Sequence, residues 1–302
     1  SNSDNVKDKL REEYIKCALD PIYFMREYCY IQHPVQGKIK FDLYKFQEKT
    51  LDDLKNNDYN IILKARQLGM STLTAGYALW LMNFHNDKNI LVIAIKQETA
   101  KNLVTKVRVM HQYMPSWLKQ GCVEDNKLSL RYNNGSQIKA ISSTGEAGRS
   151  EALSLLVVDE AAFISKIDEI WAASQQTLAT GGKCIALSTP NGMGNWFHKT
   201  WADAESGEND FNFIKLHWTV HPDRGQEWRD KQDVLLGPAM AAQECDCDFI
   251  SSGQSVIEGE FIKDIQDNSV QDPIEKRYDN NMWIWKQTEV DHKYLVTADV
   301  AR

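Results

Sequence analysis

The stretch "NIILKARQLGMSTLTAGYALWLM", residues 60–82, passes from a short apolar run through a tight loop into an apolar run of helix length. Strand, loop and helix in that order are the layout of a phosphate-binding loop, usually written G-x-x-x-x-G-K-[ST]. Laid on that pattern, Lys64 takes the first glycine position, Gly69 the second, Met70 the lysine position and Ser71 the hydroxyl position. Such a loop works with three parts. Backbone N–H groups at a helix N-terminus face phosphate oxygens, a cation neutralises the β- and γ-phosphates, and a hydroxyl completes a Mg²⁺ shell. Lys64, Ala65, Arg66, Gln67, Leu68, Gly69, Met70, Ser71 and Thr72 are therefore the candidate cradle, with either Lys64 or Arg66 as the displaced cation. Taken alone, Gly followed by Ser-Thr at a helix start is equally an ordinary N-cap.

A second stretch, "LSLLVVDEAAF" (153–163), adds weight. Leu155 to Val158 form an apolar strand that ends in Asp159-Glu160. In phosphate-loop NTPases the Asp at this strand end holds Mg²⁺ through water, and a neighbouring Glu polarises the attacking water as general base. Carboxyl ends of strands are where open α/β sheets bind ligands. The pair follows Gly69 by 90 residues, with at least one strand, "NILVIAIK" (89–96), between. That spacing fits the NTPase class with an added strand between its two motifs. A third strand, in "CIALSTPNG" (184–192), ends in Ser188, Thr189 and Pro190. Its hydroxyls suit a γ-phosphate sensor, although each of these residues is also common in capping turns.

Two more candidates flank this set. Gln47, in a helix just before the first core strand, can pair with an adenine edge while Phe46 stacks on the base; a solvated helix surface is the plainer reading. Arg149, in "SSTGEAGRSEA", sits in a glycine-flanked loop ten residues before Asp159. It suits an arginine finger or a surface salt bridge of little energetic weight.

Short Val-, Ile- and Leu-rich runs at 60–64, 90–95, 137–141, 153–158, 183–188 and 211–217 alternate with helical patterns at 70–84, 97–113, 167–179 and 194–204. This predicts an α/β fold: a three-layer α-β-α P-loop NTPase of the ASCE (RecA-like) class with a mostly parallel sheet, plus a small, mainly helical subdomain. Residues 4–30 read as two helices divided at Asp20-Pro21, 43–54 as a third, and 31–41 as loop. Asn134-Gly135 between alternating runs predicts a hairpin at the sheet edge. The expected division is an ATPase core over 1–217, with 1–40 packing on the small subdomain. A helical lid follows over 218–258, then a linker over 259–290 and the first strand of a further domain over 291–302.

Composition bounds the rest. With 302 residues, 42% hydrophobic and 25% charged, the chain has ordinary globular make-up. No apolar run approaches the ~20 residues of a membrane span, and the polar N-terminus does not read as a signal peptide. Six cysteines without a CxxC framework read as reduced thiols of a cytosolic protein. Cys245-Asp246-Cys247 has no answering pair that would make it a zinc hook. The net charge of −7 gives the whole chain no electrostatic footprint for nucleic acid.

In this order the motifs resemble the large terminase subunit of tailed bacteriophages, the ATPase motor that packages DNA, most closely its T-even-like myovirus type. The likeness runs from "FDLYKFQ" (41–47) through "RQLGMST", "ISSTGEAGRSEALSLLVVDEAAF", "ALSTPNGMGNWFHKTW" and "AQECDCDFISSGQSVI" to "DHKYLVTADVAR" (291–302). The resemblance implies ATP and Mg²⁺ as ligands. Its implied partners are double-stranded DNA, the portal protein and a small terminase subunit, and it implies a homo-oligomeric ring at the portal vertex in the host cytoplasm, without a membrane. It makes Gln47 the adenine reader, Asp159 and Glu160 the Walker B pair, and Ser188-Thr189-Pro190 the coupling motif. Arg149 becomes an arginine acting on a neighbour's ATP, and Arg66 an arginine of the loop itself. Lys64 stands where members with a deviant loop carry a relocated lysine. Asp299 resembles the first metal-binding carboxylate of the family's RNase H-like nuclease domain; the sequence stops three residues later, so no DNA cleavage is expected of it. The competing enzyme reading is a superfamily-2-like helicase, which needs a second RecA-like domain, and Met70 motivates a third, a non-hydrolysing nucleotide-binding scaffold.

Overall fold

The computed structural model describes residues 2–143, 152–253 and 259–295. The chain divides into two compact units, Ser1–Gln254 and Ser255–Arg302.

The first unit opens with α1 (Asn2–Leu19) and α2 (Pro21–Tyr28). Asp20 caps α2, accepting from Ile22 N at 2.8 Å, and Pro21 stands where a missing N–H costs nothing. Strands β1 (Tyr30–His33) and β2 (Gly37–Lys40) pair antiparallel, so residues 31–41, expected as loop, form a hairpin. Next come α3 (Lys45–Asn56), β3 (Tyr59–Lys64), α4 (Met70–Phe84), β4 (Asn89–Ala94) and α5 (Gln97–Tyr113). The edge strands β5 (Cys122–Asn126) and β6 (Ser129–Tyr132) follow, then β7 (Gln137–Ser142), β8 (Leu155–Asp159), α6 (Ile167–Leu178), β9 (Lys183–Ser188), α7 (Trp196–Ser206) and β10 (Asn212–Leu216). The unit closes with α8 (Gln226–Leu236) and α9 (Pro238–Cys245).

Eight strands make one sheet in the order β10-β3-β9-β8-β4-β7-β6-β5. The six from β10 to β7 are parallel, and β6 and β5 continue antiparallel from β7. The Asn134-Gly135 turn joins β6 to β7 as expected, with Gly135 at φ 82°. Handedness assigns the helices to layers. The crossovers β3–α4–β4 and β4–α5–β7 step one way along the sheet, whereas β8–α6–β9 and β9–α7–β10 step the other way. Right-handed crossovers therefore place α4 and α5 on one face and α6 and α7 on the opposite face.

Helix α4 is the centre of its layer. Every residue from Leu73 to Asn83 is buried, so the helix is apolar all round and has no solvent-facing stripe. Helices α1 and α2 pack against it. Trp80 Nε1 donates to Cys17 O at 2.8 Å, and a Cβ on Gly76 would stand against the Met25 side chain.

The second unit contains α10 (Gly259–Asn268) and a hairpin of β11 (Glu275–Arg277) and β12 (Met282–Ile284). The stretch read as linker thus carries regular structure: Phe261, Ile262 and Ile265 give α10 an apolar stripe at helical spacing. Residues 291–295 form no strand, and the rest of the expected strand, with Asp299, lies outside the described residues. Among the described residues no helix is long and apolar enough to cross a membrane.

Candidate nucleotide site

Three polar strand ends stand side by side at the carboxyl edge of the sheet. Leu63 pairs with Ser188, and Leu187 with Asp159, so the ends of β3, β9 and β8 lie in that order. The strand that separates the loop strand from the acidic one is β9; β4, which intervenes in the sequence, lies beyond β8.

After Lys64 the backbone folds into a concave loop. Gln67 (φ 54°) and Gly69 (φ 71°) are left-handed, with Leu68 at negative φ between them, an alternation that turns successive N–H groups toward one centre. Glycine suits position 69, where the backbone is left-handed and a Cβ would stand 2.7 Å from Gln47 Nε2. Gln47 itself is 3% exposed. Its Nε2 donates to Leu68 O at 3.1 Å and its Oε1 accepts from Tyr44 N at 3.0 Å, so both ends of the amide are engaged. Tyr44 stacks on Phe46 (5.7 Å between centroids) and meets His221 at 4.6 Å, forming an aromatic group beside α3.

The outer side of the loop is held by the segment after β10. Arg66 N donates to Glu244 O at 2.7 Å. Arg224 Nη1 donates to Arg66 O at 3.0 Å and Nη2 to Gln67 O at 2.6 Å, while its guanidinium lies 4.2 Å from the Trp228 ring centroid. Burial holds Arg224 below its ordinary pKa, and the nearby Arg66 charge adds to this. It stays a cation, as arginine does in proteins.

In front of the loop is a cavity of about 320 Å³, lined by Lys64, residues 67–72, Asp159 and, from α5, Thr99, Asn102, Leu103 and Lys106. Lys64 lines it and Arg66 does not. The Arg66 Nε is buried without an acceptor among the described residues. Met70, 2% exposed, joins the hydrophobic core. Ser71 Oγ donates to Asp159 Oδ2 at 3.3 Å, and Asp159 Oδ1 accepts from Glu160 N at 2.9 Å. Asp159 is 7% exposed. Such a hydroxyl–carboxylate pair at a cavity floor fits a hard divalent cation with oxygen ligands.

Glu160 is exposed as a residue and left-handed at φ 53°. Desolvation on its protein side, with Asp159 next to it, raises its pKa, and Lys64 and Lys96 pull the other way. Ser188 Oγ accepts from Ala162 N at 3.2 Å, and Asn191 Nδ2 donates to Ala162 O at 3.2 Å. The third strand end is thereby fastened to the turn that follows Glu160, and Thr189 lies buried beside it. Arg149 lies outside the described residues.

Sequence reasoning missed Arg224, Glu244 and the α5 residues. Nothing in "HPDRGQEW" marks Arg224 as reaching back 157 residues to Gln67. Lys106 was open to inference only as a cation on the helix following the strand after the loop.

Comparison with known proteins agrees with the fold that positions these residues. The large terminase ATPase domain of Thermus phage P74-26 has a TM-score of 0.57 at 21% identity, over 70% of this chain and 95% of that one. The HK97 bacteriophage large terminase has 0.55 at 19% identity, over 75% and 47%. The large terminase of a thermophilic bacteriophage, in complex with ADP, has 0.55 at 13% identity, over 68% and 52%. The chain thus spans about half the length of these last two. These likenesses establish the RecA-like P-loop fold. The family description "Terminase large subunit, T4likevirus-type, N-terminal" matches residues 61–264, which include all three strand ends and the segment that clamps the loop. The chain belongs to the T4-like family of terminase large subunits, as their N-terminal ATPase region.

Proposed function

We propose that this region hydrolyses ATP with Mg²⁺ in the cavity before the loop and that, in the whole subunit, turnover drives double-stranded DNA into a procapsid. The observation that carries the proposal is the convergence of the loop, Ser71 and Asp159 on one cavity that Lys64 also lines, with Glu160 next to Asp159 at the end of the same strand. The N–H groups of residues 67–71 bind phosphate oxygens there. Lys64 supplies the charge that Met70 lacks, and Arg66 is the lesser candidate because it does not line the cavity. Ser71 and Asp159 would hold Mg²⁺, which when bound neutralises charge on the phosphates. Glu160 orients the attacking water and takes its proton. Ser188 and Thr189 report phosphate loss through Ala162 to the turn beside Glu160. Tyr44 and Phe46 offer the aromatic surface for the base. Gln47, whose amide is occupied at both ends, acts on the base through the loop.

The nucleotide assignment draws support from the thermophilic-phage large terminase, a structure of which is described with ADP and another with ATP-gamma-S. Family membership sets the helicase and scaffold readings aside. The further proposals are a ring of subunits on the portal, contact with a small terminase subunit, action of Arg149 on a neighbour's ATP, and a nuclease in the longer protein to which Asp299 contributes.

Phosphate release from ATP by this chain, with and without Mg²⁺, tests the reading. Mg²⁺-dependent release supports it. Absence of binding by a fluorescent ATP analogue at concentrations up to millimolar would sink it.

A further inference from the structure

A phosphate loop works only if its N–H groups face the phosphates, and this one has a single glycine to help it do so. In a planar trans peptide the N–H of one residue points opposite to the C=O of the residue before it, and no cis peptide occurs among the described residues. The carbonyls of Arg66 and Gln67 are both taken by Arg224, and that of Leu68 by Gln47. The N–H groups of Gln67, Leu68 and Gly69 are thereby turned away from these donors. All three residues line the cavity, and among the described residues these N–H groups donate to no protein acceptor.

We propose that Arg224 is a positioning residue of the ATPase site: by holding two consecutive loop carbonyls outward it keeps two consecutive N–H groups aimed at the phosphates. The residue type suits the task. A guanidinium is a planar fork with fixed, permanently charged donors, so it can bind two adjacent carbonyls at once. Trp228 fixes the plane of that fork from behind, and Glu244 O, on α9, holds the N–H of Arg66. The segment after β10 thus prepares the loop for phosphate while Arg224 itself does not line the cavity. Gln67, held at φ 54° without being glycine, is the residue whose conformation depends most on this clamp.

The inference rests on the nucleotide reading above, and the test separates the two. The whole chain is compared as wild type, Arg224→Ala and Arg224→Lys. Binding of a fluorescent ATP analogue, KM and kcat for ATP, and the melting temperature without nucleotide are measured for each. Charge-assisted bonds to two carbonyls predict that Arg224→Ala raises both the analogue's Kd and KM at least about tenfold. Because the lost contribution is to binding, kcat at saturating ATP stays within about threefold of wild type. Arg224→Lys, with a donor but no fork, falls between the two, even if its melting temperature equals that of the wild type. The proposal is overturned if Arg224→Ala binds the analogue as wild type does, or if affinity merely follows melting temperature across the variants. Should Arg224→Ala not fold, a wild-type Kd in Arg224→Lys overturns it equally. If wild type itself binds no analogue, the nucleotide reading falls and this inference falls with it.

Discussion

Ser71 Oγ and Asp159 Oδ2 lie 3.3 Å apart, joining the start of α4 to the end of β8 across 88 residues of chain. Neither residue needs the other for its own element. Asp159 closes a strand whose other residues are all apolar, and Ser71 stands in the first turn of a buried helix. In the proposed function their meeting supplies a divalent cation with an oxygen from each side. Asp159→Asn keeps the size and loses the charge, so phosphate release should fall by about two orders of magnitude or more. Ser71→Ala should fall less. Rates measured over a Mg²⁺ titration check both.

The displaced cation makes a sharper prediction. Lys64 lines the cavity and Arg66 does not. Lys64→Ala should therefore cost about tenfold to a hundredfold in kcat/KM. Arg66→Ala, which leaves the backbone bond from position 66 to Glu244 in place, should cost less. A reversed order, with Arg66→Ala the inactive variant, would give the γ-phosphate to Arg66.

Gly69 couples the loop to Gln47. Gly69→Ala places a Cβ 2.7 Å from Gln47 Nε2 at a left-handed φ, and the strain should destabilise the fold by about 1–3 kcal/mol. Chemical denaturation measures that loss, and nucleotide affinity should fall with it. Pairing it with Gln47→Ala should remove the clash but not the unfavourable φ, so stability returns only in part.

Glu160 predicts a pH dependence. Its pKa is raised by desolvation and by Asp159, and in its proposed role as general base it acts as the carboxylate. kcat should therefore rise with pH along an acid limb that lies above the ordinary glutamate range. The stability effect has the opposite sign. A folded pKa above the unfolded one favours the fold below the unfolded pKa, and that contribution is lost as pH rises through the folded pKa. Glu160→Gln should thus remove the acid limb and gain stability relative to wild type above that window. kcat–pH profiles and melting curves across the same pH range read both effects.

The parallel core and the three strand ends were legible because each rests on a local pattern. Strands buried on both faces read as unbroken Ile, Val and Leu runs, and their polar last residues stand out against them. The hairpin β1–β2 was not legible. Strands of four residues carry little alternation, and His33-Pro34 and Gly37 look like loop whether or not the flanks pair. The same holds for β11 and β12, at three residues each. Within the site, Lys64, Ser71, Asp159 and Glu160 could be placed because they follow strands or open a helix. The contacts of Gln47 were not legible, since a buried amide bonded to a loop carbonyl and a solvated one look alike in sequence. Arg224 depends on a tertiary contact that no local pattern records.

The central claim is that this chain hydrolyses ATP with Glu160 as the base. It is tested most directly by phosphate release and ATP-analogue binding measured together in wild type and Glu160→Gln. The account predicts wild-type binding in both proteins, with release in Glu160→Gln lower by about 10²–10⁴. Release at the wild-type rate in Glu160→Gln would contradict it.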